Sequence, residues 1–456
     1  MKPVTAVFLL IALAACSRQS APALIPDAPA SVGAASARVA SSPKAARALL
    51  EALKAAASES VIYQFKGYGR QDGQHPQAGL IAVNGLLYGT TFEGGSAKSC
   101  TDPNGCGTVY QISPSGRERV LYRFKGTPDG AFPSANLLAV DGALYGTTLS
   151  GGTNGGGTVF AIDPATGAES VIYSFKGQSA GDGAYPQAGL IAENGVLYGT
   201  ASQGGSATCN NTNTHGCGIV FSVTTSGAEQ VLHVFEGGGG TSNPDGGYPY
   251  AGLTVMNGLL YGTTTGGGRY SKSCIHGGCG TVFAMNLSGS QYRVTYRFRG
   301  GKDGVGPNAS LVNRCGKLYG TTGGGGGSVC DAAGAECGTV FEVSKSGRER
   351  ILHRFMTGHD GAGPNGLIAV GDTLYGTTIA GGAFGCMGYG CGSVFQLNIA
   401  GRDYAVLYRF SGSPDGIEPS GNLLDVNGAL YGTTAAGGKK GQCFYGCFGT
   451  VFKLTR

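Results

Sequence analysis

One tetrapeptide, Leu-Tyr-Gly-Thr, recurs seven times in this chain, with its tyrosine at Tyr88, Tyr145, Tyr198, Tyr261, Tyr319, Tyr375 and Tyr431, 53 to 63 residues apart. A sequence with that period is built from one supersecondary unit whose apolar face is buried only by its neighbours, so the copies must stack or close on one another. Ahead of each copy lies a run such as Gly79-Leu80-Ile81-Ala82-Val83-Asn84-Gly85. The terminal Asn-Gly or Asp-Gly pair readily takes the positive φ values of a two-residue hairpin turn, which predicts a strand A and a strand B. After a Gly-rich loop comes Gly-Thr-Val-Phe or a close variant, ending at Tyr110, Phe160, Phe221, Phe283, Phe341, Phe395 and Phe452; this is strand C. A turn containing Ser-Gly, Thr-Gly or Ala-Gly then leads to an alternating stretch of the type Val120-Leu121-Tyr122-Arg123-Phe124, a strand D at the outer edge.

Seven units of four antiparallel strands describe an all-β, seven-bladed β-propeller rather than a linear solenoid, which uses shorter repeats and needs capping units. The ends of the count support closure. The last unit stops at Gly449-Thr450-Val451-Phe452-Lys453-Leu454 without a strand D, while Ser60-Val61-Ile62-Tyr63-Gln64-Phe65 is a strand D without a unit. The last blade is therefore predicted to be composite, closed by the N-terminal strand, which removes the open sheet edge of a linear array. With 86 Gly, no Trp and a net charge of +5 spread along the chain, composition agrees with short strands and tight turns and gives no basic patch for nucleic acid.

The N-terminus reads as an export signal. Lys2 supplies a positive start, Val4 to Ala12 is too short to span a bilayer, and Leu13-Ala14-Ala15-Cys16 places small residues before a cysteine. This resembles the bacterial lipobox, which implies a signal peptide over residues 1–15, a lipidated Cys16, and attachment to the membrane through that lipid. Ser17 follows Cys16 where Asp would favour inner-membrane retention, so the resemblance points to the outer membrane. Residues 16–58 are an Ala/Ser/Pro-rich tether with helix-forming composition between Pro43 and Ala57, and 59–456 is the propeller.

The units resemble the bacterial tandem repeat named GloVer, on the series Leu87 to Thr91, Gly94-Gly95 and Gly107 to Tyr110, over about Val61 to the C-terminus. The resemblance implies a protein attached to a membrane or cell surface and carries no catalytic residues onto these positions. Three units depart from the pattern. The fifth has Arg314-Cys315-Gly316 in place of Asn-Gly, the third has Gly199-Thr200-Ala201, and the second lacks a cysteine pair.

Of 14 cysteines, twelve fall in close pairs between strands B and C: Cys100 with Cys106, Cys209 with Cys217, Cys274 with Cys279, Cys330 with Cys337, Cys386 with Cys391, and Cys443 with Cys447. In an exported chain these read as local disulfides that stiffen their loops. Zinc would need four ligands, and each loop offers two thiols and at most one imidazole, His215 or His276, so no metal and no cofactor is expected. Cys315 is left as a free thiol or an intermolecular bridge.

Strand direction places the cysteine loops and the D-to-A connections on one face. Those connections share a motif, Asp-Gly-x-x-Pro, starting at Asp72, Asp129, Asp182, Asp245, Asp303, Asp360 and Asp415. It reads as turn chemistry, each carboxylate bonding nearby amides, with a calcium site as the alternative. Positions that differ between units are the ligand candidates: Tyr270, Phe384, Tyr389, Phe444 and Tyr445 in the cysteine loops, beside Arg269, Lys272, Lys439 and Lys440. Gly177-Gln178-Ser179-Ala180-Gly181 matches a nucleophile-elbow pattern without the following helix, and His233 and His353 stand in strand D where other units have Tyr, a structural placement. The expectation is a monomeric, non-enzymatic binding or scaffold module held at the membrane and recognising a glycan or an envelope protein. The alternative is a propeller hydrolase or lyase acting on polysaccharide or a peptide-like substrate. A chain starting at Ala21, and so lacking Cys16, is expected to form a folded soluble domain, to be checked by gel filtration and circular dichroism.

Overall fold

A computed structural model describes residues 58–96, 100, 102–205, 209, 215–237, 245–269, 274, 277–327, 337–356, 360–382, 386, 390–438 and 448–456. Blade 1 consists of strands A (Ile81–Val83), B (Leu86–Thr91), C (Thr108–Ile112) and D (Glu118–Arg123), paired antiparallel in that order. Blades 2 to 6 repeat it, starting at Leu138, Ile191, Thr254, Val312 and Ala362. In blade 7 the strands Ile417–Val426, Ala429–Ala436 and Thr450–Thr455 are completed by Ser58–Gln64, which runs antiparallel to the C-terminal strand with Ser58 opposite Thr455 and Gln64 opposite Thr450. The composite blade inferred from the orphan strands is present.

Six of the seven A-to-B hairpins turn on a residue with positive φ followed by glycine, as at Asn84 and Gly85, and in blade 6 the order is Gly371-Asp372 with the positive φ at Gly371. Asn, Asp and Gly tolerate that region of backbone space, which is why they recur there. Every C-to-D pairing carries a bulge, in blade 1 between Val109 and Tyr110, where Leu121 is passed over in the ladder. Such a bulge re-aims the outer strand.

The core is divided among the seams between blades. The phenylalanine just after each strand D inserts against the strand C aromatic of the next blade: Phe65 on Tyr110, Phe124 on Phe160, Phe175 on Phe221, Phe235 on Phe283, Phe298 on Phe341, Phe355 on Phe395 and Phe410 on Phe452. All seven pairs are edge-to-face with centroids 5.0 to 5.3 Å apart, the arrangement that ring quadrupoles favour. The far end of the strand C ring reaches over the glycine of Leu-Tyr-Gly-Thr, and a methyl group on Gly146 would sit 2.5 Å from Cζ of Phe160. No larger residue fits there, so the central glycine of the motif records a ring stacked above it.

The threonine that follows the motif is explained the same way. Thr91 shares a hydrogen bond with Thr108 across strands B and C at 2.8 Å, and equivalent hydroxyl pairs occur in the other blades except the third. There Ala201 faces Ile219, so both hydroxyls are exchanged together for an apolar pair that leaves no buried donor unpaired. Replacing Phe124 by Ala is expected to cost about 3–5 kcal/mol of unfolding free energy in urea, the range for a large buried aromatic, whereas Thr153→Ala in an exposed loop of blade 2 should change it little.

Candidate functional site

The seven aspartates of the D-to-A connections do not converge; each stays at its own seam. Asp72 accepts hydrogen bonds from the Tyr63 hydroxyl at 2.8 Å, the Lys66 amide at 2.8 Å and the Gly73 amide at 2.7 Å. Asp129 repeats this with Tyr122, Lys125 and Gly130, Asp182 with Tyr173, Lys176 and Gly183, and Asp415 with Tyr408, Ser411 and Gly416. Asp303 takes the Tyr296 hydroxyl and the Arg299 amide. At Asp245 and Asp360 the partner is an imidazole, His233 Nε2 at 2.8 Å and His353 Nε2 at 3.0 Å. Each carboxylate thus accepts hydrogen bonds that a cation would have to displace, although Oδ1 of Asp303 is left without a partner. Among the described residues no group of three or more His, Cys, Asp or Glu is placed to hold a metal ion.

The two histidine seams carry a second exchange. Where strand D has tyrosine, the next blade opposes it with a glutamate: Glu118, Glu169, Glu229, Glu349 and Glu59 face Tyr63, Tyr122, Tyr173, Tyr296 and Tyr408. Where strand D has histidine, the glutamate position is a tyrosine. Tyr292 stacks on His233 with centroids 3.7 Å apart, and Tyr404 on His353 at 3.8 Å. Two residues from different units change together because they touch. Comparing the chain's own repeats position by position would have exposed this coupling.

Disulfides join Cys100 to Cys106, Cys209 to Cys217, Cys274 to Cys279, and Cys386 to Cys391. Cys337 is also disulfide-bonded, and so is Cys315, which is therefore not the free thiol that the sequence left open as one alternative. Among the described residues no cysteine is free. The carbonyl of the second cysteine is tied to the next blade: the amides of Phe132, Tyr248, Gly306, Gly363 and Glu418 donate to Cys106, Cys217, Cys279, Cys337 and Cys391. Those donors precede the proline of the connection and have positive φ, including the bulky Phe132 and Tyr248; Tyr185 does the same after the cysteine-free blade 2, donating to the Gly156 carbonyl. That conformation turns each amide back towards the loop it holds. Cys16, Cys330, Cys443, Cys447, Tyr270, Phe384, Tyr389, Phe444 and Tyr445 lie outside the described residues, as do His276 and His359. Ser179 is exposed in a single 3-10 turn, Gln178–Ala180, with no helix behind it.

Beyond each proline the chain enters strand A from the cysteine-loop face and runs along the ring axis. There the blades enclose a cavity of about 420 Å³, within the range usual for small-ligand clefts. Six amide side chains line it: Gln77, Asn136, Gln187, Asn308, Asn365 and Asn422. Ser134, Ser310 and Tyr250 add hydroxyls, and none of the described lining residues is charged. Asn136 accepts from the Gly79 amide at 2.6 Å, and the Ser310 hydroxyl from the Gly252 amide at 3.0 Å, which fixes these side chains across blade boundaries. Burial, then the neighbouring Tyr248, raises Tyr250 above the ordinary tyrosine range, so its hydroxyl remains a donor. The sequence reading did not single out this set. Its residues fall at one and three places after a recurrent proline, a register that acquires meaning only once the ring is closed.

The molecule is a closed seven-bladed propeller of tandem repeats, with ionisable residues at its seams and an uncharged polar channel. The family described as the Gloeobacter/Verrucomicrobia repeat matches residues 50–276, 242–389 and 327–456, and the chain belongs to that family. Among solved structures it is similar to an oligogalacturonate lyase in complex with manganese, at 13% identity over 88% of this chain and 90% of that one, with a TM-score of 0.45. It is also similar to an oligogalacturonate lyase from Vibrio parahaemolyticus, at 13% identity over 84% and 89%, TM-score 0.44. A puromycin hydrolase mutant matches at 10% identity over 78% of this chain and 50% of that one, TM-score 0.47. Among curated proteins none matches.

Replacing Asp129 by Ala strands the Lys125 and Gly130 amides and the Tyr122 hydroxyl, and is expected to cost about 3 kcal/mol in urea denaturation. Chelating calcium should leave the melting temperature of the unmodified protein unchanged.

Proposed function

We propose that this protein is an exported, lipid-anchored, non-enzymatic binding module that recognises an uncharged glycan at the channel mouth on the cysteine-loop face. The observation that carries the reading is the channel lining: six amides, two serines and a tyrosine without one charged neighbour. An amide presents a donor and an acceptor side by side, which matches the paired hydroxyls of a sugar, and the Tyr250 ring adds an amphipathic surface. A charged ligand would find no counter-ion there. The disulfide loops and their bonds to the next blade hold the mouth rigid, which lowers the ordering cost of binding. Attachment through Cys16 would place this mouth at an envelope membrane, where polysaccharide is abundant.

The test is a glycan array probed with the oxidised soluble fragment from Ala21, in parallel with Asn136→Ala and Tyr250→Ala, with an envelope-lysate pull-down alongside. A neutral glycan bound by the unmodified protein and weakened about tenfold or more by either substitution is expected, since one lost hydrogen bond in a desolvated site is worth about 1.4 kcal/mol. Retention of charged glycans alone, equal binding by both variants, or turnover of a bound polysaccharide would each overturn the reading.

A further inference from the structure

Five of the seven seams contain two carboxyl groups and one phenol in a row. Tyr63 lies 2.8 Å from Asp72 and 3.3 Å from Glu118; Tyr296 lies 2.9 Å from Asp303 and 3.4 Å from Glu349; Tyr408 lies 2.7 Å from Asp415 and 3.5 Å from Glu59. Tyr122 and Tyr173 stand in the same way between Asp129 and Glu169 and between Asp182 and Glu229. A phenol has one proton, and in the three rows where both distances are given the shorter one shows it going to the aspartate, which also accepts backbone amides. The glutamate is left facing the lone pairs of the phenol oxygen. Its other oxygen, Oε1 of Glu59, Glu118, Glu169, Glu229 and Glu349, is buried without a protein partner. An ionised carboxylate in that position would repel both the phenol oxygen and the aspartate. A protonated one donates to the phenol and completes the chain.

We propose that these five seams are proton-held clasps: each keeps its glutamate protonated, donating to the tyrosine, which donates to the aspartate, so that the ring is tightest in acid and loosens as pH rises towards neutrality. The His233 and His353 seams, with Tyr292 and Tyr404 in place of glutamate, stand outside the device.

Burial first, and then the charge of the facing aspartate, push all five glutamates up to about 7. Facing cations oppose this: Lys66 and Arg123 at Glu118, Lys125 at Glu169, Lys176 at Glu229, and Arg354 and Arg299 at Glu349. Tyr63, Tyr122, Tyr173, Tyr296 and Tyr408 are themselves driven above the ordinary tyrosine range, mainly by burial, so the phenol stays protonated throughout. The linkage follows from the raised folded value. Below about pH 4.5 both folded and unfolded glutamates hold their protons and the contribution to stability is complete. Between there and about 7 the unfolded chain ionises while the folded one resists, so stability is lost as pH rises, and above 7 no further loss comes from these groups.

Infrared titration of the unmodified soluble propeller tests this without any substitution. A protonated-carboxyl band that persists at pH 6 and disappears with a midpoint near 7 is expected; absence of that band at pH 6 would overturn the proposal. A variant with all five glutamates replaced by Gln should lack the band and melt several degrees above the unmodified protein at pH 8, yet close to it at about pH 3.5, below the unfolded glutamate value. An unchanged dependence of melting on pH in the Gln variant would equally overturn the proposal. Installing the missing row at the third seam with the pair His233→Tyr and Tyr292→Glu should enlarge the band by about one fifth, one further carboxyl added to five; no increase would count against the geometry assigned to the other five.

Discussion

The edge-to-face contact between the phenylalanine after strand D and the strand C aromatic of the next blade is the joint on which the molecule is assembled. It recurs at all seven seams, including the one where Phe65 meets Tyr110 and the N-terminal strand closes the ring. Each blade alone is a small four-stranded sheet with one apolar edge exposed, too little to bury a core of its own. Packed around the ring, the seven sheets share clusters such as Tyr88, Val109, Phe124, Leu144 and Phe160, to which two blades contribute. The strictness of the repeat follows. Glycine lies under the ring, threonines pair beside it, and a proline of the next blade covers the glycine that opens strand C, as Pro133 does over Gly107.

With packing assigned to the ring interior, the polar residues divide by position. Carboxylates and their phenol or imidazole partners lie at the outer part of the seams, where an aspartate is needed to tie the D-to-A connection to strand D. Amides lie along the axis. Ionisable groups are thereby used between blades and neutral donors and acceptors are left facing the cavity, a separation that the radial geometry produces without any single designated site. The disulfides reinforce this arrangement from the loop face, because the carbonyl of the second cysteine is the acceptor for the next connection.

Much of this was readable before any coordinates. The period fixed the number of blades, Asn-Gly and Asp-Gly fixed the hairpins, and the unmatched strands at Ser60 and Gly449 required a composite blade. The pairing of cysteines within their loops was legible because the partners are near in sequence and recur. What was not legible arises between units. That Tyr63 meets Glu118, or that Tyr292 stacks on His233, depends on which strands D become neighbours, and those residues are more than fifty positions apart. The channel amides were hidden for a related reason: Gln77, Asn136 and Tyr250 share neither residue type nor motif, and only closure brings them to one axis. The state of Cys315 was left open because an exposed turn position gives no sign of a covalent partner.

The strand that completes the ring is also the first strand of the propeller in chain order. Ser58–Gln64 enters as the outermost element of blade 7 and is zipped along Thr450–Thr455. Tension applied through the chain ahead of residue 58 would therefore load neither a loop nor a blade interior but the one ladder that keeps the circle shut. The mechanical handle and the lock are the same seven residues, so a pull strong enough to strip them would open the propeller at a single defined seam while leaving six blades intact.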